Sequence, residues 1–394
     1  LNEQLVSTSA AEIGERLRCA RERAGLTQLD AARTVGVART TIVAIEQGKR
    51  KPKLAEVQIL ANAYGTTANA IYRSEAVSVE LLPQFRSALH SPRSSSLQAA
   101  QDLHDLVSAE LELENALGIV RQRRYPLESP LLPGDVVSQA EHDAANLRMF
   151  LGIGNGPIID LLGMLEFQLG IRLYIRPLDS NVSGLFAFDE RVGACILLNS
   201  KHPVSRVRQS AGHEVGHFVG TRNTPEIYRT DERYTSREER YASAFARALL
   251  TPAQSIKRFF SEITSGQSHL TRRHVILMAH TFGVSREALV RRLEELQLVK
   301  NRTWDWFLDN GGITDDQVAE VVGKDALNLE PTLRPSQVLP QRLSLLAREA
   351  SKRSIYTEGQ LSQLLSVSRH EVRAVLDGVE DELAEADDFV KISH

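Results

Sequence analysis

Apolar positions in residues 11–74 recur at three- and four-residue intervals and predict four short helices. A longer helical pattern covers about 97–124, after the serine-rich stretch 91–96. Helical spacing resumes at about 137–150 and 157–169. Two apolar runs then read as strands, IRLYIRP (171–177) and ACILLNS (194–200), with VSGLFAF (182–188) a third candidate between them. Most of the remainder is helical in pattern. YPLESPLLPG (125–134) and EPTLRPSQVLP (330–340) each carry three prolines and read as boundaries. No repeat of fixed period stands out. The pattern therefore predicts a mainly α chain with a small β-sheet. It begins with an all-α domain (11–74) and a connector (75–135). An α+β domain (136–330) and a small helical C-terminal domain (331–394) follow.

Composition narrows the class. The chain has 394 residues, 42% of them apolar and 25% charged, as in an ordinary globular protein. A net charge of −3 gives no global attraction to nucleic acid, so any basic footprint is local. Ala11–Tyr72 holds ten Lys/Arg against six Asp/Glu and is more basic than the whole. Two distant cysteines, Cys19 and Cys195, make neither a disulfide framework nor a cysteine-based zinc site, which fits a reducing cytoplasm. No apolar run reaches the ~18 residues that span a membrane.

Residues 25–52 place two short helices around a tight turn at Gly36. Thr27 is a good N-cap, with Asp30 in the capping-box position, and the second helix is expected from about Arg39 to Gln47. Leu29, Ala32, Val37, Ile42 and Ile45 are spaced to bury one face, leaving Arg39, Thr40 and Val43 outward. Such a helix fits the major groove, where arginine pairs with guanine and Thr or Val meets a thymine methyl. Gln28, Lys49, Arg50 and Lys51 are the expected phosphate contacts. The stretch 11–72 resembles the helix-turn-helix domain of the Cro/repressor (XRE) family. That resemblance implies a double-stranded DNA operator bound by a homodimer.

AGHEVGHFVG (211–220) sets His213 and His217 four residues apart, about 40° apart on one helical face. Both imidazoles can reach one ion, and Glu214 beside them can take a proton from water. The pentapeptide alone arises by chance in roughly a few per cent of such chains. Its apolar neighbours Val215, Phe218 and Val219 nevertheless mark a core helix, where unpaired imidazoles are costly. A third ligand is sought downstream among His269, His274, His280, Glu226, Asp231, Glu232, Glu238 and Glu239. Glu239 lies just before the helix-core face of Ala242, Phe245, Ala246, Leu249 and Leu250.

Residues 136–298 resemble the metallopeptidase domain of the ImmA/IrrE family through "ILLNS", "RVRQSAGHEVGHF", "EERYASAFARALLTP" and "FGVSREALVRRLEEL". The resemblance implies a zincin-like fold with Zn2+ held by His213, His217 and Glu239, and Glu214 as general base. Ser243 stands where the family has Asn, and is expected to hydrogen-bond a ligand. Gln209, Gly212 and Thr251 also depart from the family, without removing a ligand. Oxyanion help is open among His202, Tyr228, Tyr234 and Tyr241. The two resemblances together imply a DNA-binding regulator. They imply further that its zinc endopeptidase would cut a regulatory protein, itself or a repressor or toxin partner, in a stress, phage-immunity or toxin–antitoxin circuit. The alternative is a repressor or antitoxin whose peptidase fold is non-catalytic and serves sensing or partner binding.

Two further stretches, 282–296 and 357–378, look like helix-turn-helix pieces. The first reads as packing. The second, with Arg369, His370 and Arg373 on its latter helix, reads as a partner-binding or dimerisation element ahead of a DNA contact. Trp304 and Trp306 read as packing residues, and the acidic run 380–388 as a solvated tail.

Overall fold

The computed structural model describes residues 9–64, 66, 68–72, 94–222, 226–229, 236–323 and 339–377. The chain divides into two compact units, one of Leu1–Ser78, Ser108–Val120 and Leu343–His394, the other of Val79–Val107 and Arg121–Arg342. The boundary expected at 330–340, the start of the connector and the acidic run fall largely or wholly outside the described residues.

The first unit opens with α1 (Ala10–Arg23), α2 (Gln28–Val35), α3 (Arg39–Glu46), α4 (Leu54–Ala63) and α5 (Ala68–Tyr72). Thr27 and Asp30 form the anticipated capping box on α2, and Gly36 ends that helix at φ 73°, a left-handed turn that favours glycine. Ile13, Leu17, Ala31, Ala32, Ile42 and Ile45 share one core. Leu29 departs from expectation: it is 46% exposed. It lies roughly 200° around α2 from Ala31, and small Ala31 and Ala32 take the inward positions instead. Beneath them, Arg21 pairs with Glu46 at 2.6 Å in a buried ion pair that ties α1 to α3.

The next helix, α6 (Ser94–Leu117), is followed by the proline-rich stretch. Residues 121–135, expected in a connector, belong to the second unit. Tyr125 sits 4.9 Å, ring to ring, from Phe218, its hydroxyl accepts from the Ala194 amide at 3.1 Å, and the Ser129 amide donates to Val219. A half-buried aromatic anchor thus overrides the boundary signal of the prolines.

The second unit continues with α7 (Val136–Phe150) and a short α8 (Leu161–Gly163) that runs into a π-helix (Met164–Leu169). Three strands follow, β1 (Arg172–Arg176), β2 (Val182–Asp189) and β3 (Gly193–Asn199), all near the predicted positions. The motif helix α9 (Val204–Gly220) leads to β4 (Glu226–Arg229), a strand the sequence pattern did not suggest. The sheet order is β1-β3-β2-β4, with β1 parallel to β3 and the other pairs antiparallel. The helices α10 (Arg237–Leu250), α11 (Ala253–Ile263), α12 (Arg272–Phe282), α13 (Arg286–Glu295), α14 (Thr303–Asp309) and α15 (Asp315–Val322) complete the unit. Ala211, Val215 and Phe218 of α9 share a core with Phe186 and Ile196 of the sheet and Phe245 and Leu249 of α10. The piece at 282–296 packs as expected, with Leu289, Val290 and Leu293 fully buried. Trp304 packs against the core, whereas Trp306 stays 54% exposed. Beyond this unit come α16 (Gln341–Lys352), α17 (Glu358–Leu365) and α18 (Arg369–Asp377).

Candidate metal centre and nucleic-acid interface

Two small-residue seams bring α9 and α10 together. A Cβ on Gly216 would lie 2.8 Å from the Ala242 Cα, and one on Gly212 would lie 3.2 Å from the Ala246 Cβ. Only such a close crossing lets side chains from both helices meet at one point. His213 and His217 of α9 place their Nε2 atoms 3.2 Å apart. Glu239, at the start of α10, sets its two carboxylate oxygens 3.3 Å from one nitrogen each, Oε2 from His213 and Oε1 from His217. Among the described residues, these three form the one group of His, Cys, Asp and Glu suited to hold a metal ion. His269 and His280 lie elsewhere on the surface, and His274 completes the Thr271 capping box of α12. Asp231 and Glu232 lie outside the described residues, as does the side chain of Glu226.

The outer nitrogens of both imidazoles meet hydroxyls. Ser243 Oγ lies 3.3 Å from His213 Nδ1, and Thr221 Oγ1 lies 3.0 Å from His217 Nδ1. A hydroxyl accepting from Nδ1–H fixes the tautomer whose Nε2 carries the lone pair. Thr221 was not singled out in the sequence. It stands one helical turn beyond His217, so the spacing alone carried the signal.

Burial pushes His213 down to about 4, helped by neighbouring His217 and opposed by its hydrogen bond to Glu239. The imidazole is therefore neutral at physiological pH, and in the tautomer protonated at Nδ1 its Nε2 is suited to bind a metal. Burial alone would raise Glu239, but its hydrogen bonds with His213 and His217 prevail and hold it at about 2. It is a carboxylate at every physiological pH.

Glu214 is fully buried and its carboxyl group rests against β2. A Cβ on Gly184 would stand 2.6 Å from Glu214 Oε1, so any larger residue there displaces the carboxyl group. Gly184 adjoins an irregularity in the β2–β4 register, a common way to re-aim groups beside an active site. Tyr241, one of the oxyanion candidates, is buried and donates its hydroxyl to Asp143 at 2.8 Å, so it is withdrawn from that role. His202 remains near the start of α9, its Nε2 3.3 Å from the Ser180 carbonyl. Tyr234 and the side chain of Tyr228 lie outside the described residues.

On the first unit, Arg39 and Thr40 are exposed at the start of α3 and Val43 is half-buried. Gln28 is engaged within the protein: its amide donates to Glu46 at 3.0 Å and its carbonyl accepts from Arg39 at 3.3 Å. It braces Arg39 where a phosphate contact had been expected. Arg50 pairs with Glu56 at 2.8 Å, while Lys49 and Lys51 are exposed.

A helix pair carrying two histidines and a glutamate over a small mixed sheet defines a metallopeptidase-like domain, here preceded by a helix-turn-helix. Comparison with known families agrees on both parts. Residues 12–71 match the model of a helix-turn-helix domain, and residues 167–294 match that of the IrrE N-terminal-like domain, a peptidase family. No curated protein matches the chain. The chain thus joins a region similar to a helix-turn-helix domain, which implies DNA binding, to one similar to the ImmA/IrrE peptidase-like domain. Among the described residues, no helix is long and apolar enough to cross a membrane.

Proposed function

We propose that the protein is a cytoplasmic transcriptional regulator whose second domain is a zinc-dependent endopeptidase acting on a regulatory protein. The observation that carries this reading is the convergence of donor atoms: the two Nε2 atoms lie 3.2 Å apart, and Glu239 sets Oε2 3.3 Å from His213 and Oε1 3.3 Å from His217. Four-coordinate zinc, holding nitrogen and oxygen donors at about 2.0–2.1 Å, separates neighbouring donors by roughly 3.3 Å. The donor set of two imidazoles and one carboxylate fits that ion and leaves one position open.

His213, His217 and Glu239 would hold the metal, with Ser243 and Thr221 orienting the imidazoles. Zinc, when bound, supplies Lewis acidity and a more acidic water. Glu214 accepts a proton from the attacking water at its carboxylate and returns it to the leaving amine. DNA reading falls to residues 11–74, with Arg39, Thr40 and Val43 at base edges and Lys49, Arg50 and Lys51 at phosphates. The domain binds as a homodimer on a two-fold operator. Peptidase function falls to the region 136–330. A stress, phage-immunity or toxin–antitoxin circuit joins the two, with the chain itself or a repressor or toxin partner as substrate.

The test compares wild type with Glu214→Gln and His217→Ala. Glu214→Gln is nearly isosteric and lies off the ligand set, so zinc content should stay near one per chain while proteolysis falls at least ~10²-fold. His217→Ala should lose both metal and activity. Stoichiometric zinc in His217→Ala would overturn the ligand assignment. Regulation by Glu214→Gln indistinguishable from wild type would leave the fold as a non-catalytic partner-binding module. Mixing active protein with Glu214→Gln then separates cleavage in trans from cleavage in cis.

A further inference from the structure

The helices that close the described chain repeat those that open it. One constant shift in residue number carries α1, α2 and α3 onto α16, α17 and α18. Helices α2 and α17 are both 8 residues long, and each starts from a threonine capping box, Thr27 with Asp30 and Thr357 with Gln360. Each ends on a left-handed residue, Gly36 at φ 73° and Ser366 at φ 52°. The turn hydrogen bonds also correspond: Val37 N to Ala32 O at 3.0 Å, and Val367 N to Ser362 O at 3.2 Å.

Burial follows the same register. Ile13, Leu17 and Ala20 of α1 answer to Leu343, Ala347 and Ala350 of α16, all buried. Ile42 and Ile45 of α3 answer to Val372 and Val375 of α18, again all buried. A helix-helix-turn-helix of these lengths, with this turn and this inward face, is the architecture that presents its last helix to the major groove.

Its outward face carries cations. Arg369 occupies the position of Arg39, and both are exposed at the first helical residue. His370 and Arg373 are exposed where the first module has Thr40 and Val43. The leading residue of the preceding helix braces an arginine of the outward face in both modules: Gln28 holds Arg39 at 3.3 Å and Glu358 holds Arg373 at 3.1 Å. Residues 341–377 hold six Lys/Arg against four Asp/Glu. The modules differ after the third helix, where the first continues into Lys49, Arg50 and Lys51 and the second into the acidic run 380–388. The outward face of the second module therefore relies on the cations of α18, with no basic run after it.

We infer that residues 341–377 form a second helix-turn-helix module that contacts double-stranded DNA through Arg369, His370 and Arg373. Two modules on one chain would engage two stretches of the same duplex, so weak individual contacts gain from effective concentration.

The experiment measures binding of the full chain to a mixed-sequence linear duplex as a function of salt. Arg369→Ala with Arg373→Ala should reduce the slope of log K against log salt by about 1–2 and weaken binding at low salt. Lys49→Ala with Lys51→Ala should do the same independently, and the four-fold variant should combine both losses. All four side chains are exposed, and unchanged thermal melting confirms that each variant folds. A slope and affinity unchanged by the Arg369/Arg373 pair overturn the inference. So does a change in oligomeric mass without a change in slope, which marks a protein-binding face. An effect of the Arg369/Arg373 pair alone, with Lys49 and Lys51 inert, upholds this inference while removing the first module from the proposed function.

Discussion

At the scale of single residues, the centre depends on groups that never touch a metal. Thr221 contributes one hydroxyl 3.0 Å from His217 Nδ1. Thr221→Val keeps the shape and removes the hydrogen-bond partner, freeing the ring to turn and to adopt the wrong tautomer. Zinc affinity, measured by competition with a chromogenic chelator, should fall about 10–100-fold. Thermal stability of the metal-free protein should change little by comparison. Gly184 acts on the other function. Gly184→Ala drives a methyl to within 2.6 Å of Glu214 Oε1, so the carboxyl group must move. Peptidase turnover should drop at least ~10-fold while zinc content stays at wild-type level, because Glu214 is not a ligand. Parallel loss of zinc would show that the strand, and not the base alone, supports the ligands.

At the scale of elements, the site is a helix crossing. Gly216 and Ala242 permit the approach of α9 to α10, and the 2.8 Å contact is with backbone, which cannot rotate away. Gly216→Ala improves helix propensity by up to ~1 kcal/mol, yet should destabilise by a net ~1–3 kcal/mol through overpacking. It should also weaken zinc binding, since separating the helices draws Glu239 away from His217. A melt and a metal titration on the same sample check both effects. Much of this level was legible in the sequence. Capping residues, the glycine turn, the HExxH spacing and the apolar runs of β2 and β3 all act through local geometry, which a sequence displays. β4 did not stand out, because a strand of four residues, Glu226–Arg229, has too few alternations to mark a period. Leu29 was misjudged because helical spacing gives a face but not which of two overlapping faces turns inward. Tyr125 was masked by its prolines. The helix-turn-helix look of 357–378 was legible, but its register with α1–α3 was not, since the two share caps, turn and burial more than residue identity.

At the scale of the whole molecule, the same burial that makes the ligands available also makes the fold sensitive to acid. His213 binds a proton only near pH 4 when folded, against 6.5 when free, because burial penalises its charged form. Between those values the unfolded chain takes up a proton that the folded chain refuses, so stability falls as pH drops from 6.5 to 4. Glu239 acts in the adjoining range. Its carboxylate, held at about 2 against an ordinary 4.5, adds stability above 4.5 that is lost as pH falls toward 2. Both contributions have the same sign, so the metal-free protein should weaken continuously on acidification, by up to roughly 3 kcal/mol from His213. Zinc bound as proposed should steepen the trend, because a metal requires unprotonated ligands and is released as they take up protons. Melting temperature measured from pH 7 to pH 4, with and without chelator, should fall in both series and more sharply in the loaded protein. In the chelated series, His213→Ala should flatten the decline between pH 6.5 and 4. An equally steep decline in that variant would assign the acid sensitivity to other groups.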